Sequence, residues 1–553
     1  MTVAAASAPA VTGAASVVQS VDWLAIAPPV ITASVALIVL VADLFLPQKR
    51  KPLLGGIAIA GLGAALLLLI PLHKSTRSTF CLTTNPEACS YTVDRFTLVL
   101  QFLVLGGALL TALLSMTEPT ESKERLPAGE FWFLLLSSAA GAALLPASRD
   151  LATLVVALEV ASLPAFALVG LKRGDRLSSE AALKFFLSSV TATAVMLLGV
   201  SFVYAATGTL HLTEIANRLA DVPYQLDTVA QTGVALTLVG FAFKTAAVPF
   251  HFWVPDTYVG APLPVAAYLS VVGKAVGFSG LILVAVIAFP AYADVWGPAL
   301  AVVAALTMTV GNVGALRQSA TRAYSAVRLL AWSSVGQAGY LLVPIAAAGY
   351  SSDAQVGATV AYALMYAVVN LGAFAVAALV ARTRPLNRIA DYRGLYAERP
   401  FAALALGFFL LCLAGLPPGI IGLFAKVTVF SAAVDAGLGW LAVVMAFNVV
   451  IALYYYLRWT AVLFRAPEEV EAPVEGAKAV VAGTGTASAG AEPGGAMGAG
   501  SGGAVGAGAA GVSAARPRVP APLTLAIALT ALAAIALSGM PQVALHFASI
   551  SLF

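Results

Sequence analysis

Four lysines and one glutamate stand inside long apolar runs of this 553-residue chain, where charged side chains are rare. The lysines are Lys184, Lys244, Lys274 and Lys426, and the carboxylate is Glu159. A charge at the centre of a bilayer costs about 2.5–3.5 kcal/mol on insertion scales, so such residues usually face a protein interior or an aqueous path. A lysine paired with a glutamate stays charged and can exchange a proton when the pair separates. The pattern therefore predicts movement of an ion, most simply a proton.

Proline residues interrupt two of these runs close to a lysine. Pro249 follows Lys244 by five residues, and Lys426 follows Pro417-Pro418 by eight residues. Proline removes a backbone donor and breaks or kinks a helix. In a membrane, the freed backbone groups are satisfied by water or by neighbouring side chains. The two breaks therefore predict hydrated paths beside these two lysines.

The other polar residues have two interpretations. Lys184 lies four residues after Glu180, near a helix start, so its alternative is to extend to the membrane surface. His251 follows a proline break and titrates near neutral pH, which would let it pass protons between the inside and Lys244; a structural histidine is the alternative. Asp43 ends the first run and is interpreted as an interfacial anchor rather than a relay.

The composition indicates a polytopic membrane protein. The chain is 60% hydrophobic and 10% charged, with a mean hydropathy of +0.93, whereas soluble domains carry about 25% charged residues. A bilayer core requires about 20 apolar residues per helix. The fold is therefore predicted to be all-α, with about 14 transmembrane helices. They are expected near 26–46, 53–72, 95–116, 129–147, 151–171, 180–206, 229–250, 262–289, 296–316, 327–348, 355–381, 401–434, 438–463 and 522–548.

The distribution of basic residues orients these helices, because inside loops of membrane proteins carry an excess of Lys and Arg. With the N-terminus outside, 21 of the 30 Lys and Arg residues fall at inside positions and 5 at outside positions. We therefore predict that both termini lie outside.

Two segments differ from the helices. Residues 466–521 are rich in Gly and Ala and are predicted to be a flexible inside linker, with a docking tail for a partner as the alternative. The outside loop 73–94 carries Cys81 and Cys89, and an outside compartment permits a disulfide between them. Cys412 lies within a run and is interpreted as inert packing.

The seventh and twelfth helices share one layout, an apolar run with a proline break and a nearby lysine. They are five helices apart, and an odd separation means that they cross the membrane in opposite directions. Helices 4–8 and 9–13 are therefore predicted to be two inverted five-helix repeats, each with a broken helix. Paired interrupted helices of this kind indicate the site of a transporter.

Several other chemistries find no support in the sequence. We find no Walker loop, no haem-type or iron–sulfur cysteine pattern, no dinucleotide-binding glycine motif and no basic block typical of nucleic-acid binding. We therefore expect no redox centre, cofactor or metal site on this chain, and no nucleic-acid partner.

Several stretches resemble the antiporter-like, proton-translocating subunits of respiratory complex I, the NADH-quinone oxidoreductase. The most specific is KTAAVPFHFWVPDTYVGAP, from Lys244 to Pro262; the others are EAALKFFLSS, RLLAWSSVGQAGY, NLGAF and LAGLPPGIIGLFAK. The form after the proline break is most similar to the subunit N family. The resemblance runs over roughly residues 90–465. It implies an antiporter-like core at 95–465, after N-terminal helices and an external loop at 1–94 and before the linker and a C-terminal helix at 522–553.

The resemblance implies a role for each matching residue. Glu159 resembles the fifth-helix glutamate that pairs with the seventh-helix lysine, here Lys244. Lys274 resembles the lysine of the central hydrophilic axis, Lys426 the lysine near the exit half-channel, and His251 a histidine of the connecting path. The candidate residues for proton translocation are, in chain order, Glu159, Lys184, Lys244, His251, Lys274 and Lys426.

Three features depart from the family pattern. The family usually has Lys-Arg where this chain has Val327-Arg328, and Tyr where it has Trp332. Histidine is common where Gln337 stands. The long Gly/Ala linker is also unusual.

The resemblance further implies the setting of the chain. FMN, iron–sulfur clusters and quinone would lie in partner subunits, the partners would be other membrane-arm subunits and the lipid bilayer, and the location would be the bacterial inner (cell) membrane. One alternative is a subunit of a multisubunit cation/proton antiporter, driven by ion gradients and lacking a flavoprotein partner. A purely structural membrane subunit is another, and the four lysines and Glu159 argue against it.

Overall fold

The computed structural model of the chain is a bundle of apolar helices with one small β-hairpin. It describes residues 21–82, 85–116, 126–351, 356–466, 519–549 and 552–553. Thirteen helices in these ranges are long and apolar enough to cross a membrane. These thirteen are α1 (Trp23–Phe45), α2 (Gln48–Leu72), α3 (Arg95–Ser115), α4 (Ala128–Ala147), α5 (Leu151–Val169), α6 (Arg176–Thr207), α7a (Tyr224–Lys244), α8 (Leu263–Ala288), α9 (Pro290–Leu316), α10 (Ser325–Ala347), α11 (Val356–Ala381), α13 (Gly439–Leu463) and α14 (Ala521–Gly539). Three shorter helices accompany them: α7b (Trp253–Gly260), α12a (Pro400–Ala414) and α12b (Ile420–Asp435).

The predicted all-α polytopic fold is confirmed, including its two broken helices. The seventh helix ends at Lys244 and resumes as α7b, and the run near 401–434 divides into α12a and α12b around Pro417-Pro418. Each half of the twelfth helix is shorter than a full span, which is why 13 long helices and about 14 predicted crossings agree. Each predicted five-helix set therefore contains one interrupted helix.

One helix boundary was predicted wrongly. The sequence indicated a single helix near 522–548, whereas α14 ends at Gly539 and a second helix, Gln542–Ser549, follows Pro541. Proline has no backbone N–H and clashes with the preceding turn, so the helical ladder stops there. The predicted linker at 466–521 lies almost wholly outside the described residues.

The loop at 73–94 contains structure that the sequence did not predict. Strands β1 (Arg77–Cys81) and β2 (Cys89–Val93) pair antiparallel, and Cys81 and Cys89 form the disulfide that the sequence permitted. Arg77 donates to Asp22 at 2.8 Å, which brings the start of α1 to the hairpin. We call this side of the bundle the hairpin face.

The end of the chain returns to the hairpin face. The amide of Phe96, at the start of α3, donates to the carbonyl of Leu552 at 3.2 Å, and the rings of Phe96 and Phe553 lie 4.8 Å apart. Because α1 starts on this face and the chain ends on it, the bundle makes an even number of crossings. The location of both termini outside stays a prediction, because residues 1–20 lie outside the described residues.

The opposite side carries the loops between α9 and α10 and between α11 and α12a, together with the end of α13. The amide of Tyr324 donates to the carbonyl of Leu386 at 2.6 Å, and that of Gly394 donates to the carbonyl of Arg465 at 3.0 Å. We call this side, with its basic residues at 317–328, 382–399 and 458–465, the basic face.

The candidate residues lie among the most enclosed helices. In the most apolar segments of α8, α10 and α11, 83%, 94% and 83% of the residues are buried, against 22% in α14. Glycines bring these helices close together, as small residues do in membrane bundles. A Cβ on Gly311 of α9 would lie 2.2 Å from the backbone nitrogen of Gly336 of α10. The interior is therefore tightly packed around the polar residues that it contains.

We expect Gly422→Ala to destabilise the broken twelfth helix strongly. A Cβ at this position would lie 1.6 Å from the carbonyl oxygen of Cys412, so α12a and α12b would have to separate, at a cost of about 1–3 kcal/mol or more. Gly439→Ala is the matched control, because a Cβ there meets nothing within 4 Å. Thermal unfolding of the detergent-solubilised protein measures both, and equal midpoints for the two variants would contradict this packing.

Candidate functional site

The Lys244 ammonium lies at the end of α7a among hydroxyl groups of two other helices. Its Nζ donates to Ser162 Oγ of α5 and to Ser189 Oγ of α6, each at 2.8 Å. Glu159 Oε1 lies 3.9 Å from the same Nζ and accepts a hydrogen bond from Thr193 Oγ1 at 2.8 Å. The acid and the base are thus adjacent, while each is held by its own hydroxyl partners.

The chain breaks immediately after Lys244. Ala246 adopts a positive φ of 60°, and the Val248 amide donates to Thr307 Oγ1 of α9 at 2.9 Å. Gly277 of α8 packs against the Lys244 carbonyl, and a Cβ there would lie 2.8 Å from the carbonyl carbon. Neighbouring helices thus hold the break in place and satisfy a backbone donor that the helix no longer pairs.

A cavity extends from Lys244 toward Lys274. Its lining includes Lys244, Ser138, Tyr268 and Gly273, the residue before Lys274. The Tyr268 hydroxyl donates to Ser138 Oγ at 2.9 Å. A cavity with an ammonium and hydroxyl groups in its wall can hold water, since water needs such polar partners. The cavity thus reaches from Lys244 to the residue next to Lys274, without Lys274 in its lining.

Lys274 is only 2% exposed. Its Nζ donates to the carbonyl oxygen of Ser334 in α10. The five residues that precede it, Leu269–Gly273, form a π-helical turn within α8. Such turns are frequent at functional sites. Tyr366 of α11 donates to the Ser270 carbonyl of this turn at 3.3 Å, which extends the polar interior toward α11.

Lys426 lies in α12b against the end of α12a. Its Nζ donates to the carbonyl oxygens of Leu413 at 3.1 Å and Ala414 at 2.5 Å, and it lies 5.8 Å from the ring centre of Tyr340. The last carbonyls of a helix carry partial negative charge, so they are suitable partners for a cation. A second cavity is lined by Lys426 together with Gln337, Tyr362 and Tyr366.

Lys184 stands apart from the buried lysines. Its side chain is 47% exposed and pairs with Glu180 at 2.7 Å and with Asp256 at 2.8 Å. Asp256 also accepts from Arg328 at 3.3 Å, so one carboxylate of α7b links α6 and α10. Arg328, which follows Val327 where the sequence departs from the family pattern, is thus part of this charged cluster.

His251 lies in the loop between α7a and α7b and is half-buried. Among the described residues, its buried Nδ1 has no hydrogen-bond partner, and its ring lies 5.5 Å from that of Trp332.

The structure thus brings Glu159 and Lys244 together, puts Lys274 and Lys426 farther along the same interior, and leaves Lys184 and His251 near its edge. Asp43 pairs with Lys51 at 2.9 Å, as an anchor would.

Sequence reasoning missed the hydroxyl residues of the site. They do follow helical spacing: Ser162 is three residues after Glu159, Thr193 is four after Ser189, and Tyr366 is four after Tyr362. Residues three or four apart share one face of a helix. Pairs of polar residues at this spacing within apolar runs were therefore the available signal. Within the described residues, no group of three or more His, Cys, Asp or Glu side chains could hold a metal ion.

Two helices that break beside buried lysines, with cavities lined by hydroxyl groups between them, form the architecture of an antiporter-like membrane protein. The chain belongs to the family described as NADH:quinone oxidoreductase/Mrp antiporter, TM, whose model matches residues 148–452.

Relatives in this family are close and cover most of the chain. It is 75% identical over 540 residues to the protein named NADH-quinone oxidoreductase subunit N 2 of Streptomyces griseus, which spans 98% of this chain and 96% of the relative. It is 44% identical over 473 residues to NADH-quinone oxidoreductase subunit N of Salinispora tropica, spanning 83% of this chain and 88% of the relative.

Solved structures share the same fold. A chain of respiratory complex I from Thermus thermophilus is 29% identical, with a TM-score of 0.69, and the match covers 94% of this chain and 98% of that one. A chain of the Mrp complex from Dietzia sp. is 21% identical, with a TM-score of 0.73 and coverage of 95% and 96%; at that identity, the likeness concerns the fold alone.

We expect Asp256→Asn to lower the thermal stability of the protein, and Glu180→Gln to leave it nearly unchanged. Asp256 links three helices through Lys184 and Arg328, whereas Glu180 pairs with Lys184 inside a single helix. The loss should reach about 1 kcal/mol at most, because these groups are partly in water. Unfolding midpoints at low and high salt measure it, and an equal effect of the two variants would refute the linking role.

Proposed function

We propose that this chain is a proton-translocating membrane-arm subunit of an NADH-quinone oxidoreductase. It would lie in the bacterial cell membrane with its basic face inside, its hairpin face outside and both chain ends outside. The names of its relatives and the excess of Lys and Arg on the basic face support this assignment.

The observation that carries the proposal is the pairing of Glu159 with Lys244 at a helix break. The distance of 3.9 Å between Lys244 Nζ and Glu159 Oε1 is at the upper limit for an ion pair. Serine and threonine hydroxyls already bond to each group, so each would keep a polar partner when the two separate. In a site of low dielectric, loss of the counter-charge disfavours the charged ammonium. A change that draws Glu159 away would therefore release a proton from Lys244.

The released proton would travel along the interior. The cavity that reaches Gly273 leads it toward Lys274, and the polar groups of α10 and α11 lead it on to Lys426. From Lys426 it would leave outward along the broken twelfth helix. Moving one proton against 100 mV requires about 2.3 kcal/mol, which electron transfer in other subunits would supply. Lys184 and His251, nearer the edge, would serve uptake from the basic face.

The proposal assigns the redox chemistry to partners. FMN, iron–sulfur clusters and quinone would be bound by other subunits, and this chain would contact neighbouring membrane-arm subunits and lipid. The many large apolar side chains exposed on its helices, such as Leu44, Phe45 and Phe401, suit both kinds of neighbour.

We expect Lys244→Ala and Glu159→Gln to lower proton pumping by about tenfold or more, because each removes one member of a proton-transfer pair. Assembly of the complex should remain, since Glu159→Gln preserves the shape of the side chain. Proton uptake by inverted membrane vesicles, measured during NADH oxidation and normalised to the amount of assembled complex, tests this.

Asp43→Asn is the matched control for these variants. It breaks a shorter ion pair, of 2.9 Å with Lys51, in the N-terminal helices, away from the buried lysines. Pumping should remain near the parental value in this variant. If Lys244→Ala pumped as well as Asp43→Asn in assembled complex, the proposed role of the pair would be wrong.

Isolation of the chain from its own membranes in mild detergent tests the assignment to the enzyme. We expect NADH dehydrogenase activity and bound flavin to co-purify with it. Partners that lack flavin, together with cation exchange driven by ion gradients in vesicles, would instead identify a subunit of a cation/proton antiporter.

A further inference from the structure

A cavity opens at the basic face between α9, α10 and α13, away from the residues assigned above. Its lining includes Ala315, Gln318, Tyr455, Arg458 and Trp459. Arg458 is exposed, and solvent and salt therefore screen its charge. The inner wall is buried, with Trp459 at 0% and Tyr455 at 3% exposure. The cavity thus reaches from the surface into the packed interior.

Two buried polar atoms of this lining have no hydrogen-bond partner among the described residues. They are Gln318 Oε1, an acceptor, and Trp459 Nε1, a donor. An unsatisfied buried polar atom costs about 1–3 kcal/mol, so such atoms usually bind ordered water. A water molecule can accept a hydrogen bond from the donor and donate one to the acceptor. The cavity is therefore suited to hold water.

A row of hydroxyl groups continues from this cavity into the interior. Tyr455 and Tyr456 lie side by side, with ring centres 4.4 Å apart, and the Tyr455 hydroxyl donates to Asn312 Oδ1 of α9 at 2.9 Å. Tyr456 OH bonds with Ser333 Oγ of α10 and accepts from Gln337 Nε2 at 3.4 Å. All of these side chains are at least 96% buried.

The row ends at the cavity of Lys426. Gln337 Oε1 accepts a hydrogen bond from the hydroxyl of Tyr362 in α11. Gln337, Tyr362 and Lys426 line one cavity. Polar groups thus connect the surface beside Arg458 to the buried ammonium without passing Lys244 or Lys274.

We propose that this row is a second proton-uptake route, which leads from the basic face to Lys426. Hydroxyls and water carry a proton by exchange, because each oxygen accepts one proton and releases its own. Past Gln337, water in the cavity that Gln337 and Lys426 line would complete the transfer. Lys426 would accept the proton as a neutral amine, after its own proton has left outward. Gln318, Trp459 and Gln337 do not exchange protons in this way; they orient the water and the hydroxyls. The inference rests on the proposed function, because it requires Lys426 to be a proton acceptor.

Tyr456→Phe tests the route, because it removes only the central hydroxyl. In the assembled complex, reconstituted in vesicles, we expect the number of protons pumped per NADH oxidised to fall to about half or less. Ser333→Ala should have the same effect, whereas Ser333→Thr, which retains a hydroxyl, should restore the ratio. A purely structural role would change assembly or stability without changing this ratio.

Tyr396→Phe is the matched control for Tyr456→Phe. It removes a hydroxyl near the basic face from a half-exposed ring whose centre lies 5.3 Å from that of Phe464, outside the row, and it should leave the ratio unchanged. Lys244→Ala separates the two hypotheses. If it abolishes pumping while Tyr456→Phe and Ser333→Ala keep the parental ratio, the uptake route is wrong and the proposed function stands. If Lys244→Ala also pumps normally, the proposed function itself fails.

Water in the cavity can be tested independently of pumping. Both Ala315 and Ala301 of α9 are buried, but only Ala315 lines the cavity, so Ala315→Cys places a thiol in the cavity lining and Ala301→Cys places one outside it. We expect Ag⁺, added to membrane vesicles, to block later maleimide labelling of the first thiol and not of the second. Equal labelling of the two would overturn the proposal even where Tyr456→Phe failed to assemble.

Discussion

The structure depends on the cost of keeping ammonium groups inside an apolar bundle. An isolated charge in such an interior is very unfavourable unless it is paired and hydrogen-bonded. Intact helices offer few backbone acceptors, because their carbonyls already accept hydrogen bonds within the helix; Lys274, which bonds to the Ser334 carbonyl of α10, shares such an acceptor. Lys244 is therefore met by serine hydroxyls beside one break, and Lys426 by the last carbonyls of the half-helix at the other. The breaks and the lysines stabilise one another.

The two five-helix sets stabilise their buried lysines, Lys244 and Lys426, with different partners. In the first half, a carboxylate stands 3.9 Å from the ammonium; in the second, the described contacts of Lys426 are two carbonyls and the ring of Tyr340. A carboxylate can be moved or neutralised, so the affinity of Lys244 for its proton can be altered from outside the site. Fixed carbonyls cannot be altered in this way. Under the proposed function, the first half would therefore respond to a change in a neighbouring subunit, and the second to the arrival of a proton.

Much of this site could be predicted from the sequence because charge and proline are conspicuous in apolar runs. Both helix breaks follow from the prolines alone, whereas the pairing of Glu159 with Lys244 is what the family resemblance implies. The hydroxyl partners could not be predicted, because a serine inside a helix commonly bonds to its own preceding turn, as Ser162 does with the Leu158 carbonyl at 2.6 Å. The hairpin was also missed, since it occupies a short loop whose pairing depends on contacts such as that between Arg77 and Asp22.

Close packing at the breaks limits how the bundle can work. Gly277 lies against the backbone of Lys244, and Gly422 lies against the carbonyl of Cys412, so neither break has room for the adjoining helix to slide. Packed interiors of this kind resist continuous deformation. Lysine, by contrast, carries its charge on a flexible four-carbon stem. Rotation of lysine side chains and rearrangement of water in the cavities are therefore the motions that this architecture permits, and the helices serve as the fixed frame against which those motions occur.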